Sequence, residues 1–229
     1  MKMVTFYHDI EQDVNVEADG EACREAVRSL LALEASHDVR TTYNVVGALW
    51  RDQPDIVEWI RGGHHEIAFR SYNHRIVCLP DEFQDEVRLC REHSLDPVGY
   101  RSPRSRWNSD TLRSLKEHGF AWNAESDAAA RPYFLCPALA RLPIAGDDWP
   151  IHLGQVGLND WVDDFRRHLA EREYVAIGVH DCVVSHEPTA RLLAWGHCLE
   201  IALEEGAQIV TFGEAARSLD DGSGASVDE

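Results

Sequence analysis

Lysine is almost missing from this chain of 229 residues: Lys2 and Lys116 are its only two, and the rest of its basic side chains, histidine aside, are arginine. Acids outnumber bases by 40 to 22, for a formal net charge of -18. That deficit of positive charge argues against nucleic acid or an anionic membrane surface as partner, because both attract basic patches. On charge alone a neutral or locally cationic small molecule is the easier substrate to accommodate. Also missing is any apolar stretch near the roughly 18 residues of a membrane helix. No cationic segment with an apolar run behind it precedes the first strand, and no C-x-x-C pair occurs. The six cysteines (Cys23, Cys78, Cys90, Cys136, Cys182 and Cys198) are scattered. The expectation is therefore a cytoplasmic protein with free thiols and a small-molecule substrate. Its oligomeric state is not legible.

What is present is a regular alternation of strand and helix patterns. Val4 to Glu11 is a β-branched and aromatic run that ends in two carboxylates, Asp9 and Glu11. Alternate residues of a strand project to one side, so this pair can act together, one as a base and one as a metal ligand. Glu21 to Glu34 carries apolar residues at helical spacing, and Arg40 to Val46 alternates into a second strand. Further strands are expected at His65 to Phe69, Pro97 to Arg101, Phe120 to Asn123, Ala140 to Ile144, Tyr174 to Val179 and Gln208 to Thr211. Between them, Ser109 is expected to cap a helix that Gly119 ends, Asn159 to cap another, and Gly206 to end a long one. Residues 1–218 read as one domain and 219–229 as a disordered acidic tail. Right-handed strand-helix-strand crossovers lead to an α/β fold, either an open parallel sheet or a barrel, and both gather chemistry at the C-terminal ends of the strands.

Nearly every one of those ends carries a polar group: Asp9 and Glu11, then Arg70 to His74, Arg101, Asn123 to Asp127, Asp147-Asp148-Trp149, and His180-Asp181. In this order the segments resemble the polysaccharide deacetylase family, related to carbohydrate esterase family 4, whose NodB homology domain is a distorted (β/α) barrel of about seven parallel strands. His8-Asp9-Ile10-Glu11 resembles its first motif, which implies Asp9 as general base and Glu11 as metal ligand. His65 to His74 is similar to its second motif, with His74 in the place of the second metal histidine and Arg70 in the place of the first. Arg101-Ser102-Pro103 resembles the Arg-x-Pro that orients the base, Trp122 to Asp127 a segment of the site wall, and Val179-His180-Asp181 the motif whose histidine, here His180, would be the general acid. Asp148-Trp149 is similar to a groove element. The resemblance implies a metal-dependent deacetylase of a small N-acetylated sugar or biosynthetic intermediate, using zinc, cobalt or nickel.

Arg70 stands against a simple transfer of that mechanism. A guanidinium is permanently protonated, cannot bind a metal, and beside a dication raises the Coulomb energy unless a carboxylate lies between. Three arrangements remain open: Asp9, Glu11 and His74 hold the metal with waters; His8 or His65 replaces the lost ligand; or no metal binds, and Arg70 with Arg101 forms a cationic pocket. The last gives a metal-independent amidohydrolase on the same barrel, and a catalytically silent barrel that binds a carbohydrate or partner is the further alternative. Arg70, Trp107, Trp122, Asp148 and Trp149 are expected at the substrate. Cys182, two residues beyond His180, reads as a small buried thiol and not a nucleophile, because no third orienting group is evident.

Overall fold

The computed structural model describes residues 2–12, 20–77, 79–92 and 98–222. Its strands are β1 (Met3–Ile10), β2 (Thr42–Val45), β3 (Glu66–Phe69), β4 (Gly99–Tyr100), β5 (Trp122–Ser126), β6 (Tyr133–Cys136), β7 (Leu139–Ile144), β8 (Gly146–Asp147), β9 (Tyr174–His180) and β10 (Gln208–Ile209). They form one curled sheet in the order β6-β7-β5-β4-β3-β2-β1-β9-β8, with β10 pairing β1 as well. Every ladder is parallel except the β6/β7 hairpin. This is the α/β half-barrel that the motifs implied, with more strands than the expected seven. Of the ten, β6 and β8 had no counterpart among the eight strand segments read from the sequence; they are a hairpin partner and a two-residue strand, the latter too short for any periodicity to show.

Burial on both faces of β1 explains its apolar run. Val4 and Phe6 point into the helix layer, where the Phe6 ring packs at 5.7 Å from Phe165 and 5.1 Å from Trp195. Tyr7 points the other way, into a barrel interior it shares with Trp122 and Phe212. Here large rings lie over glycines on the adjacent strand. Tyr7 is in register with Gly178, and Trp122 with Gly99. A Cβ at either glycine would overlap the facing ring, so these positions fix where the strands can pack.

The phase of β1 also separates His8 from the site. It turns into the helix layer and meets Glu34 of helix Gly20–Ser36 at 2.5 Å, Nε2 to Oε1. Glu34 is fully buried and accepts in addition from the Tyr43 hydroxyl at 2.8 Å and the Thr41 hydroxyl at 3.1 Å, while His65 Nδ1 lies 3.7 Å away. Both histidines considered as substitute ligands are thus committed to a buried carboxylate on the helix side. Glu66 likewise supports structure, accepting from the Thr42 hydroxyl and the Gly213 backbone N–H.

Helix boundaries differ from the sequence expectations by a residue or two. Asn108, not Ser109, caps helix Ser109–Glu117: its side chain accepts from the N–H groups of Asp110 and Thr111 in a capping box with Thr111. Gly157, not Asn159, precedes helix Leu158–Glu171. Gly119 and Gly206 do follow helices, at φ +76° and +66°. Helix Phe212–Gly222 runs into the segment expected as a tail, and Cys78 and residues 223–229 lie outside the described residues. Cys90, Cys136 and Cys198 are free thiols. Among the described residues no helix is long and apolar enough to cross a membrane.

Candidate active site

The ends of six strands, β1, β3, β4, β5, β8 and β9, converge on one cavity of about 510 Å³, a size that suits a small molecule. Glu11, Arg70, His74, Arg101 and His180 all line it, together with Arg104, Ser105, Ser126, Asp147, Trp149 and Pro150. Asp9, Glu11, His74, Arg101 and His180, each expected after a parallel strand, thus lie at one rim. Asp9 sits just behind the lining, with no exposed surface.

Asp9 is held by two hydrogen-bond donors and an ion pair. Asn44 Nδ2 donates to its Oδ1 at 2.8 Å, Arg101 Nε donates to its Oδ2 at 3.1 Å, and Arg70 Nη1 lies 2.9 Å from the same oxygen. Arg70 Nε donates to Glu11 Oε1, and His74 Nε2 is 3.1 Å from that oxygen. One guanidinium thus joins both carboxylates of the first motif. Burial pushes both acids up, but the Arg70 charge, with Arg101 at Asp9 and His74 at Glu11, outweighs it and leaves each below the ordinary carboxylate value. The backbone around them is pinned. Asp181, fully buried, accepts from the N–H groups of Glu11 and Gln12, and burial lifts its own carboxyl to about 7. Ser71 and His74 take left-handed backbone (φ +57° and +51°). Their loop is anchored where Gly47 and Ala48 donate to the Ser71 and Tyr72 carbonyls.

His180 ends β9. Its Nδ1 is 2.7 Å from Asp148 Oδ1, and its backbone N–H donates to the same carboxylate at 3.1 Å. Its Nε2 faces the acids, 3.5 Å from Asp9 and 3.9 Å from Glu11. Burial disfavours the imidazolium, yet Asp148, then Glu11 and Asp9, overcome it and raise His180 to about 10. At neutral pH His180 is a cation with its Nε2–H directed to the cavity.

Arg101 is held on several sides. Besides Asp9, its Nη1 donates to Ser105 Oγ at 2.7 Å and lies 3.5 Å from Glu125, and its Nη2 is 3.8 Å from Asp147. Glu125 is kept in place by Ser102 N–H and Asn123 Nδ2. Arg104 and Ser105, next in the loop, are both left-handed at φ +55° and +48°. Such backbone costs about 1–2 kcal/mol per non-glycine residue and persists where surrounding bonds enforce it. Here Ser105 Oγ takes bonds from Arg101 and from the Ser126 N–H.

Three expected substrate contacts are placed differently. Trp122 is a fully buried core ring against Phe212, because its phase on β5 points it into the barrel. Trp107 is half-exposed but stacks on the Arg141 guanidinium, 4.0 Å to the ring centroid, outside the cavity lining. Asp148 is buried and acts through His180. Arg70 and Trp149 do line the cavity, Trp149 forming with Pro150 its apolar wall. Cys182 is buried in a small cluster with Cys23 and Val183. Asn44 and Arg104 had no sequence signal, and Glu125 was visible only as part of the Trp122 to Asp127 segment expected in the site wall. Asp147 and Asp181 were visible as polar strand-tip residues without an assigned role.

The ligand atoms of Asp9, Glu11 and His180 lie within 4.8 Å of one another, a buried group that could hold a metal. Arg70, however, engages both of those carboxylates, so an ion and the guanidinium would compete for the same oxygens. With the permanent cation of Arg70 already in place on both carboxylates, the residues present do not fit a resident divalent metal.

No family model and no curated protein sequence matches the chain. Solved structures do. A Mycobacterium smegmatis protein assigned as a polysaccharide deacetylase aligns with a TM-score of 0.78 at 20% identity, over 96% of this chain and 90% of that one. The allantoinase PuuE aligns with a TM-score of 0.80 at 18% identity, over 98% and 92%. A family 4 carbohydrate esterase pseudoenzyme from Bacillus anthracis aligns with a TM-score of 0.68 at 13% identity, over 94% and 65%. The fold is therefore that of the polysaccharide deacetylase barrel, a scaffold that carries hydrolases and at least one pseudoenzyme.

Proposed function

We propose that this chain hydrolyses a non-peptide carbon–nitrogen bond, an amide or ureide, in a small molecule, without a resident metal. The observation that carries this reading is the Arg70 guanidinium held between Asp9 and Glu11 at the cavity floor, beside a cationic His180. A metal in a hydrolase polarises the carbonyl and stabilises the oxyanion; here fixed guanidinium charge does that work. Glu11, the acid of the pair that lines the cavity, takes the proton of the attacking water as its oxygen bonds the carbonyl carbon. As negative charge grows on the carbonyl oxygen it draws on the field of Arg70, which relieves Glu11 of that cation and strengthens it as a base. When the carbon–nitrogen bond breaks, His180 Nε2 delivers its proton to the leaving nitrogen, and Asp148 holds the ring. Asp9, fully buried between two arginines, fixes their positions.

The test is acetate and ammonia release from a panel of N-acetyl sugars, N-acetyl amino acids and ureides, before and after chelation. Chelator-resistant turnover that Glu11→Gln lowers by about a hundredfold or more supports the reading. Turnover lost on chelation and restored by zinc or cobalt would return the site to metal-dependent deacetylation. A second reading, a silent barrel that binds a small molecule, is favoured by the low basicity of both carboxylates. Binding without turnover of any panel member would select it.

A further inference from the structure

Of the cations that line the cavity, three are already answered from within the protein. Arg70 faces Asp9 and Glu11, Arg101 faces Asp9, Glu125 and Asp147, and His180 faces Asp148. Arg104 is different. It lines the same cavity, is exposed, and has no ion pair or hydrogen bond with any other described residue. Its backbone is held left-handed (φ +55°, ψ +25°) by the loop that Ser105 ties to Arg101 and Ser126. A strained conformation enforced by its surroundings, placing a charged side chain at a cavity mouth, is the pattern of a functional residue. The carboxylates of the lining offer Arg104 no rival use: Glu11 is taken by Arg70, and Asp147 accepts from the Trp149 N–H while facing Arg101.

We propose that the cavity takes a molecule bearing an anionic group, a carboxylate or a phosphate, which Arg104 receives at the rim while the rest of the molecule reaches toward Glu11 and His180. A guanidinium binds either anion through paired N–H donors. The net charge of -18 does not oppose this, because charges farther away than about 8 Å are largely screened at physiological ionic strength, whereas a contact with Arg104 is not. The expectation of a neutral or cationic substrate, drawn from total charge, thus gives way to the local charge of the site. This rests on the hydrolase reading for the reacting end of the molecule, but its test reads binding and stands apart from turnover.

Two matched pairs serve as calorimetric probes: N-acetylglycine against N-acetylglycinamide, and N-acetylglucosamine 6-phosphate against N-acetylglucosamine. In at least one pair the anion should bind the natural protein about tenfold more tightly than its neutral partner. Arg104→Gln should bring that ratio near one, Arg104→Lys should keep most of it, and Arg106→Gln, an exposed neighbour outside the lining, should leave it unchanged. The pair that shows the preference distinguishes carboxylate from phosphate. Equal binding of charged and neutral probes, a preference that persists in Arg104→Gln, or no binding by either anion at millimolar concentration would each overturn the proposal. Turnover without the preference would sink this inference alone, and the preference without turnover would sink the hydrolase reading alone.

Discussion

Replacing Arg70 with methionine removes one guanidinium and strands two carboxylates. Asp9 is fully buried and Glu11 nearly so, and Arg70 is the guanidinium shared by both, with the His180 ring farther off at 3.5 and 3.9 Å. Removing one partner of a buried pair costs about 3–5 kcal/mol, because the remaining charge is neither hydrated nor matched. Arg101 and Asn44 still hold Asp9, which keeps the cost within that range. The pH dependence is the sharper test. In the natural protein both acids have folded values below their unfolded ones, so their contribution is full above about pH 4.5 and is lost as pH falls below that. Without Arg70, burial and mutual repulsion act with less to oppose them and raise at least Glu11 above its unfolded value. Its contribution then changes sign, and stability falls as pH rises from about 4 toward 7. Urea titrations of both proteins at pH 4.5 and 7.5 read this directly. Arg70→Met should lower stability by about 3–5 kcal/mol at pH 7.5, with Tm down by on the order of 10 °C, and by clearly less at pH 4.5. A loss under about 1 kcal/mol at pH 7.5, or an equal loss at both, would refute the view that Arg70 balances the two acids.

In Arg70→His the balancing cation is replaced by a neutral nitrogen at H-x-x-x-H spacing from His74, so zinc should raise its Tm and leave that of the natural protein unchanged; a melting scan with and without zinc decides. Asp148→Asn removes the main support of the His180 imidazolium. The alkaline limb of the rate profile, expected near pH 10 in the natural protein, should therefore move toward neutral pH, and an unmoved limb would reject His180 as the acid. Gly178→Ala should destabilise the barrel by about 1–3 kcal/mol through overlap with the Tyr7 ring, and Tyr7→Leu in the same chain should recover part of it; additive losses in denaturant titrations would argue against the overlap.

Much of this site was legible because parallel strands deliver their C-terminal residues to one end. Asp9, Glu11, Arg70, His74, Arg101 and His180 could each be found from an apolar run followed by a polar residue, and all six meet. What could not be read was phase. A strand has two faces, and a shift of one residue exchanges them. Trp122 and His8 both lie in or beside strand ends, yet one points into the barrel core and the other into the helix layer against Glu34. His65, left open as a substitute ligand, turns to the same Glu34. Backbone conformation was invisible too: nothing in Arg101-Ser102-Pro103-Arg104-Ser105 announces two successive left-handed residues, and without them Arg104 has no reason to face the cavity. Partners distant in sequence, such as Asn44 for Asp9 or Glu125 for Arg101, exist only once the strands are adjacent.

Arg70 changes how the departure from the deacetylase motif should be understood. Loss of a neutral metal ligand to an apolar residue would leave Asp9 and Glu11 repelling each other in a buried site, and the barrel would have to absorb that penalty or lose the acids. A permanent cation in the same place instead balances both carboxylates at every physiological pH and makes the pair stable with no ion present. The acids are then retained for a reason that does not require a metal. The rest of the rim is consistent with that: five acids, Asp9, Glu11, Glu125, Asp147 and Asp148, are set against Arg70, Arg101 and His180, each cation within 4.0 Å of at least two of them. Removal of a metal ligand without compensation would leave the two acids of the first motif with no cation between them, whereas here each of the three cations is paired. Arg70 and its surroundings therefore fit the proposed metal-independent arrangement, in which the guanidinium takes the place of a bound cation between Asp9 and Glu11.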